Sequence, residues 1–387
     1  MLKMYTAYTT ELDEEDIALE QIIGQLDLEK NKLKNTTGVI LCHSEFIETG
    51  IVQHITKNLP FDVVGCTTVS STTNRFGDRM ILTVSMFTSD EIEFSVFKSE
   101  EVEIKREENT RKVCERVLAC KPEQRPSLVI PFLPWVTIFN EYISNIMGEV
   151  LEDVPLFGTV AIDGTENYHE SYTFFNGEIL RDKIAMLVLW GEVNVKFIST
   201  TIPEDRVQKF SSVITKSDQN VVQEINRKPV MEYLEDIGLA KNGVILGAIG
   251  IPFMVDYKDN SQHMARAIYR ASPEGYVEFA GYMPEGCVVA TAAMDDELVI
   301  ETAIQASKKI LSNDDISGFL AFSCASRNYV FLTDRQKEEI EAINEQVGGN
   351  ITYQMAYAGG EICPIPDASG KLTNKFHNFS FIICIFN

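Results

Sequence analysis

The sequence contains no apolar run near the roughly 20 residues needed to span a bilayer. Its longest, 184–190 and 379–386, are about eight residues, so we expect no membrane anchor. Cations are also scarce, with 34 Lys and Arg against 57 Asp and Glu and a formal charge of -23. Nucleic-acid binding depends on Lys and Arg neutralising phosphates, and anionic membranes make a similar demand, so both are poor partners. Eight cysteines are scattered at 42, 66, 114, 120, 287, 324, 363 and 384, with no C-x-x-C and no dense cluster. That spacing argues against a zinc site or a disulfide framework, and we expect no metal, no cofactor and a reduced, cytoplasmic protein whose thiols are mostly buried small hydrophobes. The stretch 1–20 lacks a basic start and an apolar segment and carries Glu11, Asp13, Glu14, Glu15 and Asp16, so no secretion signal is expected. Gly247-Ala-Ile-Gly250 lacks the Gly-Lys-Ser/Thr of a phosphate loop, and neither H-E-x-x-H nor G-x-S-x-G occurs. No low-complexity segment or Pro/Gly/Ser linker is visible, and the acidic stretch 100–108 reads as a solvated connector.

What is present is enough for a large core: 387 residues, 45% of them hydrophobic, which favours two domains in close contact. Asp13 with Asp16 opens a helix that would bury Ala18, Ile22 and Leu26 on one face, and Asp295 opens another with Val299, Ala303, Ala306 and Ile310 inward. A capping-box pattern over Thr333 to Gln336 starts a third, with Ile340, Ile343 and Val347 recurring and Gly348-Gly349 as its stop. Between the helices lie short β-branched runs of the kind buried in sheets: Gly38 to Cys42, Leu128 to Ile130, Gly243 to Leu246 and Gly318 to Phe322. Asn176-Gly177 between two short apolar runs is a hairpin turn, so the sheets are mixed rather than purely parallel.

When these strands are aligned with the segments after them, the chain shows an internal repeat of strand, helix-like segment, Gly-containing polar turn and closing strand. The first copy runs from Gly38 through Val64-Gly-Cys-Thr-Thr68 to Met86, the second from Leu128 through Phe157-Gly-Thr-Val-Ala-Ile-Asp163 to Trp190, and the third from Gly318 through Ala358-Gly-Gly-Glu-Ile-Cys-Pro364 to Ile385. The fold class expected is therefore α/β, of mixed α+β type, in two closely packed domains built from repeated strand-helix-turn-strand units. The polar turns then fall at equivalent strand ends, where backbone N–H groups and short side chains can face a ligand, or where glycine serves only to permit tight packing.

The third copy concentrates polar groups among apolar ones: Ser323-Cys324-Ala325-Ser326-Arg327 after a strand, Gly360-Glu361 in a turn, and His377-Asn378 before the closing strand. Arg327 and Glu361 either pair structurally or sit at a pocket rim where one meets a charged ligand group. The lone histidines 43, 54, 169 and 263 read as core or surface groups, with His43 the one placed to reach a pocket.

In order and spacing, Ser-Cys-Ala-Ser-Arg, a helix, Ala-Gly-Gly-Glu-Ile-Cys-Pro and Phe-His-Asn resemble the C-terminal half of the FIST family of ligand sensors. Pro284-Glu-Gly-Cys-Val-Val289 is similar to that family too. The first half resembles its N-terminal partner domain in Val64 to Thr68, Phe157 to Asp163, Phe175-Asn-Gly177 and Val213 through Val230. The resemblance implies a FIST N-terminal-like domain over 1–228 and a C-terminal-like domain over 229–387. It also implies a cytoplasmic input protein for signal transduction, suggested to bind small molecules such as amino acids or related small carboxylates. Kinase, chemoreceptor and cyclase modules are not found in the sequence, and 1–20 leaves no length for the F-box of a eukaryotic branch, so output is expected from a separate protein such as a histidine kinase or cyclase. Carried over by motif, the ligand-binding residues are Thr67, Thr68, Gly158 and Asp163 with Cys324, Arg327, Gly360, Glu361, His377 and Asn378, and no catalytic residue. Phe157-Gly158 replaces a common Gly-Gly pair and Thr67-Thr68-Val69-Ser70 a usual Ser-Thr-Ala-Gly run, which alters the N-terminal wall.

In the mechanism this suggests, Arg327 holds a ligand carboxylate and Glu361 an ammonium or hydroxyl, while Asn378 with Thr67 or Asp163 completes orientation. Two other readings stand beside it. One is a hydrolase using Cys324 or Cys363 as nucleophile, His377 as base and Glu361 or Asn378 to orient it. The other is a protein-interaction scaffold without a ligand.

Overall fold

The alternation of helices and doubly buried strands builds one unit three times. The computed structural model describes residues 1–135, 139–165, 168–246, 251–259, 262–313, 315–331, 335–367 and 369–387, apart from the side chain of Gln336. The segment 247–250 and Thr333 of the expected capping box lie outside the described residues. Each unit runs edge strand, helix, strand, helix, strand, hairpin, closing strand. In the first these are Lys3–Thr9, Glu15–Leu26, Asn35–Cys42, Ile51–Asn58, Asp62–Thr67, Ser70–Thr73 with Gly77–Asp78, and Leu82–Ser89. In the second they are Glu93–Lys98, Arg106–Cys120, Leu128–Leu133, Glu141–Leu151, Gly158–Val160, Thr173–Phe175 with Glu178–Leu180, and Ala185–Trp190. In the third they are Val195–Thr200, Asp296–Leu311, Gly318–Cys324, Gln336–Val347, Tyr353–Ala358, Glu361–Pro366 with Leu372–His377, and Phe381–Phe386.

Each unit forms a six-stranded sheet whose two central strands are parallel, so the sheets are mixed, as the Asn176-Gly177 turn requires. The hairpin of each unit is not in its own sheet. Thr173–Phe175 of the second unit pairs with Asp62–Thr67 of the first, and Glu361–Pro366 of the third pairs with Gly158–Val160 of the second. Ser70–Thr73 of the first unit pairs with Tyr353–Ala358 of the third, which completes a cyclic exchange. Strands on both sides of residue 228 thus share sheets.

One face of every sheet turns to a common core, where Val39 and Leu41 meet Ile130 and Phe132 and also Leu320 and Phe322. The Phe322 ring lies 5.5 Å from Phe157 and 6.4 Å from Phe132 across the unit boundary. The outer faces are covered by each unit's own helices, so the strands read as unbroken apolar runs rather than as an alternation. Helix Glu15–Leu26 buries Ala18, Ile22 and Leu26, the face its spacing dictates. Its N-cap is Glu14, and Glu11 rather than Asp13 accepts from the backbone at its start. Asp295 caps helix Asp296–Leu311 by accepting from the Leu298 N–H at 2.8 Å.

Between the edge strand and first helix of the third unit sits an insertion that the repeat does not foretell. Its seven strands, from Ser212–Asp218 to Val288–Thr291, close on themselves around Ile214, Val222, Phe253, Ile268 and Phe279. The run from Gly243 to Leu246, expected to be a buried strand, is only the exposed strand Val244–Ile245, paired with Ala240–Lys241, and Val244 is 62% exposed. The reason is local: Asn242 and Gly243 both have positive φ, 52° and 74°, making a tight turn that leaves the ribbon at the surface. Among the described residues no helix is long and apolar enough to cross a membrane.

Candidate functional site

The polar turns of the three units meet at one end of the core. After Asp62–Thr67, Gly158–Val160 and Tyr353–Ala358, the chain leaves the sheet with unsatisfied backbone groups, and these pair with one another. Ile162 donates to the Thr67 carbonyl at 3.1 Å, Gly359 to Val160 at 3.0 Å, and Val69 to Tyr357 at 3.1 Å. The residues between donor and acceptor in each unit, Thr68, Ala161 and Ala358, are completely buried. The centre is therefore closed by this ring of hydrogen bonds. The Thr68 hydroxyl is buried without a partner, and that of Thr67 accepts from the Tyr172 N–H at 2.9 Å.

The open space lies to one side, at the seam between the second and third units and against the inserted sheet. It is a cavity of about 40 Å³ lined by Trp135 and Tyr168 from the second unit, Cys324, Tyr329 and Asn378 from the third, and Tyr269 from the insertion. The ring of Trp135 stands 4.7 Å from Tyr168 and 6.2 Å from Tyr269, edge to face in both cases. Tyr329, 42% exposed, stands at the mouth.

Among the expected residues, Cys324 and Asn378 line this cavity. Asn378 is 2% exposed; its Nδ2 donates to the His377 carbonyl at 3.0 Å, which fixes the amide, and its Oδ1 has no partner. Glu361 is fully buried, with its carboxyl against the Cys324 thiol and the backbone of Ser380. Burial pushes this carboxyl well above the usual range, so it is held protonated. Burial, with the neighbouring Glu361, likewise pushes up the Cys324 thiol.

Arg327 does not reach the cavity, contrary to the role expected of it. Nε donates to Ser323 Oγ at 3.1 Å, Nη1 to Thr302 Oγ1 at 3.1 Å, and Nη2 to the Val299 carbonyl at 3.0 Å and to Glu339 Oε1 at 2.7 Å. Its ion partner is Glu339 rather than Glu361, both side chains being 0% exposed, and the same carboxylate also accepts from the Tyr357 hydroxyl. Four of the five N–H donors of this buried guanidinium are thus engaged within the protein, and the side chain does not line the cavity.

The other expected residues are structural in their contacts. His377 Nε2 donates to the Cys363 carbonyl at 3.1 Å, and burial lowers its pKa to about 4, so the ring is neutral. It lines a different cavity of about 10 Å³ with His263 and Ser380. A Cβ on Gly158 would stand 2.0 Å from the Pro131 carbonyl oxygen, and one on Gly360, whose φ is 153°, would stand 2.6 Å from the Phe376 ring. Asp163 is buried and accepts from the Glu170 N–H at 2.6 Å, from Ser171 Oγ at 3.1 Å and from Thr165, so it fixes the backbone on either side of Tyr168 instead of touching the cavity. His43 does not line the cavity either. Cys363 sits in the central core with its thiol pushed up by burial.

The aromatic walls were not anticipated. Trp135 comes after its buried strand much as Ala325 and Ser326 come after Gly318–Cys324, so the repeat contained a signal for it. Tyr269 comes from the insertion, for which the repeat has no counterpart.

Residues 36–228 match the FIST N domain and residues 229–364 match the FIST C domain. No curated protein matches. Among solved structures, one titled "Cyanuric acid hydrolase: evolutionary innovation by structural concatenation" is similar over 100% of both chains at 9% identity, with a TM-score of 0.37, too low a likeness to bear on what this chain does.

Proposed function

The chain belongs to the FIST family, whose domains are sensory parts of signalling proteins and bind rather than catalyse, and on that premise we propose that it is a stand-alone input protein that detects a small molecule in the cavity under Trp135. The observation that carries this reading is the buried, unpartnered Oδ1 of Asn378 in a cavity walled by Trp135, Tyr168 and Tyr269. Pockets with a few convergent polar groups on apolar walls are where small ligands bind. The FIST N-terminal-like and C-terminal-like segments, 1–228 and 229–387, act as one sensory body. Its ligand belongs to the amino acids or related small molecules, and its place is the reduced cytoplasm, in keeping with eight free thiols.

Output goes to a separate signalling protein such as a histidine kinase or cyclase. A ligand in this cavity touches the insertion and two units at once, so it favours whichever angle between them lets all three close on it. Next to Ala267 in the cavity wall, Arg266 of the insertion makes a buried ion pair with Glu141 of the second unit at 2.8 Å, which supplies a pivot for such a change. Catalysis by cysteine draws no support from the site: Cys324 and Cys363 are thiols pushed away from ionisation, and His377 Nε2 is engaged by a carbonyl.

The test is thermal denaturation of protein refolded to remove carried-over ligand, against amino acids, amines and small carboxylates. A ligand at 100 times its Kd adds about 2.7 kcal/mol to the folded state and raises Tm. A Trp135→Ala protein that shows the same shifts as its parent, or a parent with none, refutes this site.

A further inference from the structure

The cavity has a chemical sign. We infer that the group it takes is a cation, a small ammonium, with Trp135, Tyr168 and Tyr269 as its walls and Glu361 as its counter-charge, a conclusion that rests on the cavity being a ligand site. The unpartnered buried oxygen in it, Asn378 Oδ1, is an acceptor, and the amide donor of that side chain, Nδ2, is engaged by a backbone carbonyl. A buried acceptor left without a donor is costly until one arrives. The aromatic walls present electron-rich faces that attract positive charge. Among the described residues no Lys or Arg lines the cavity, and Arg327 behind it spends four hydrogen bonds on Ser323, Thr302, Val299 and Glu339. A carboxylate would thus find no cation among the described lining residues, whereas an ammonium is complementary to the unpaired Asn378 oxygen and to the π faces.

Size restricts the group further. One water needs roughly 10–15 Å³ on this measure, so about 40 Å³ admits a head group of a few heavy atoms while the rest of a larger amine leaves past Tyr329. Glu361 is separated from the cavity by the Cys324 thiol. Facing its carboxyl are that thiol, the Arg327 guanidinium and the backbone of Ser380, with neutral His377 and Thr159 opposite it on the neighbouring strands. Burial keeps the carboxyl protonated in the empty site. An ammonium in the cavity, across that thiol, favours the carboxylate, so binding sends one proton to solvent and leaves the buried charges balanced.

Three probes of similar size separate the possibilities: ethylammonium chloride, 1-propanol and sodium propionate, at matched ionic strength, read by the fluorescence change that Trp135→Phe abolishes and by Tm. The expected result is saturable binding of ethylammonium at least about tenfold tighter than of the other two, with about a tenfold loss in Glu361→Gln. Calorimetry in two buffers of different ionisation enthalpy should show proton release by the parent protein, a reading that does not depend on the variant folding. Equal or tighter binding of propanol or propionate overturns the cation while leaving the ligand site intact. Ethylammonium binding without proton release overturns the role of Glu361. No saturable response to any probe overturns the ligand site on which the inference rests.

Discussion

At the scale of single residues, Glu361 and His377 stand opposite each other on paired strands and titrate in opposite senses. Burial lowers His377 from 6.5 to about 4, so between those values the unfolded chain takes up a proton that the folded chain refuses, and stability rises with pH. The whole shift corresponds to about 3 kcal/mol. Glu361 is raised above 4.5, so the folded chain keeps a proton the unfolded chain releases, and stability falls as pH rises from there. Between about pH 4.5 and 6.5 the two contributions offset each other. Urea midpoints at about pH 5 and pH 6.5 should therefore rise with pH, relative to the parent, in Glu361→Gln and fall with pH in His377→Gln. Two variants with the parent's slope would refute the assignment. Residue words in the sequence led to Cys324 and Asn378 because short polar groups directly after and before buried strands have few places to go except a strand end. They misplaced Arg327 because its carboxylate partner, Glu339, stands on the following helix and not among the polar turns. Yet Glu339 is spaced by fours with Ile343 and Val347, the buried face of its helix, so a carboxylate there already signalled a buried cation nearby.

At the scale of elements, helix periodicity and the Asn-Gly turn at 176–177 were legible because both are local, and the same kind of turn at 242–243 was there to be read as well. Not legible was what a strand's neighbours would be. Gly158 illustrates this: as a motif residue it suggested a ligand wall, but its missing side chain accommodates the Pro131 carbonyl of the parallel strand beside it. Backbone cannot give way as a flexible side chain can, so Gly158→Ala should cost at least the roughly 1–3 kcal/mol of an overpacked core, with Tm lowered to match. An alanine protein as stable as its parent would return Gly158 to the ligand-facing positions.

At the scale of the whole molecule, the repeat was visible in sequence while the exchange of hairpins was not, since strands such as Glu361–Pro366 and Gly158–Val160 are paired across some two hundred residues and carry no mutual sign of it. The exchange predicts that 1–228 and 229–387, produced separately, do not fold. The first lacks the hairpin that finishes the second unit's sheet, and the second lacks Ser70–Thr73 and Val195–Thr200 of the third unit's sheet. Each alone should give weak, noncooperative thermal transitions by circular dichroism, and co-expression should restore a sharp one. A cooperative transition in either isolated half would show that the sheets tolerate the loss.

The ring of exchanged hairpins also sets a schedule for synthesis. The second unit's own strands have all been made by Trp190, but its sheet stays open at Gly158–Val160 until the chain reaches His377. At about 5–20 residues per second that wait lasts roughly 10 to 40 s on the ribosome. Throughout it a bare strand edge and an apolar face stand exposed to neighbouring chains. For this architecture, escape from aggregation is decided during translation, and slowing the ribosome over the last third of the message should lower soluble yield even though the finished protein is unchanged.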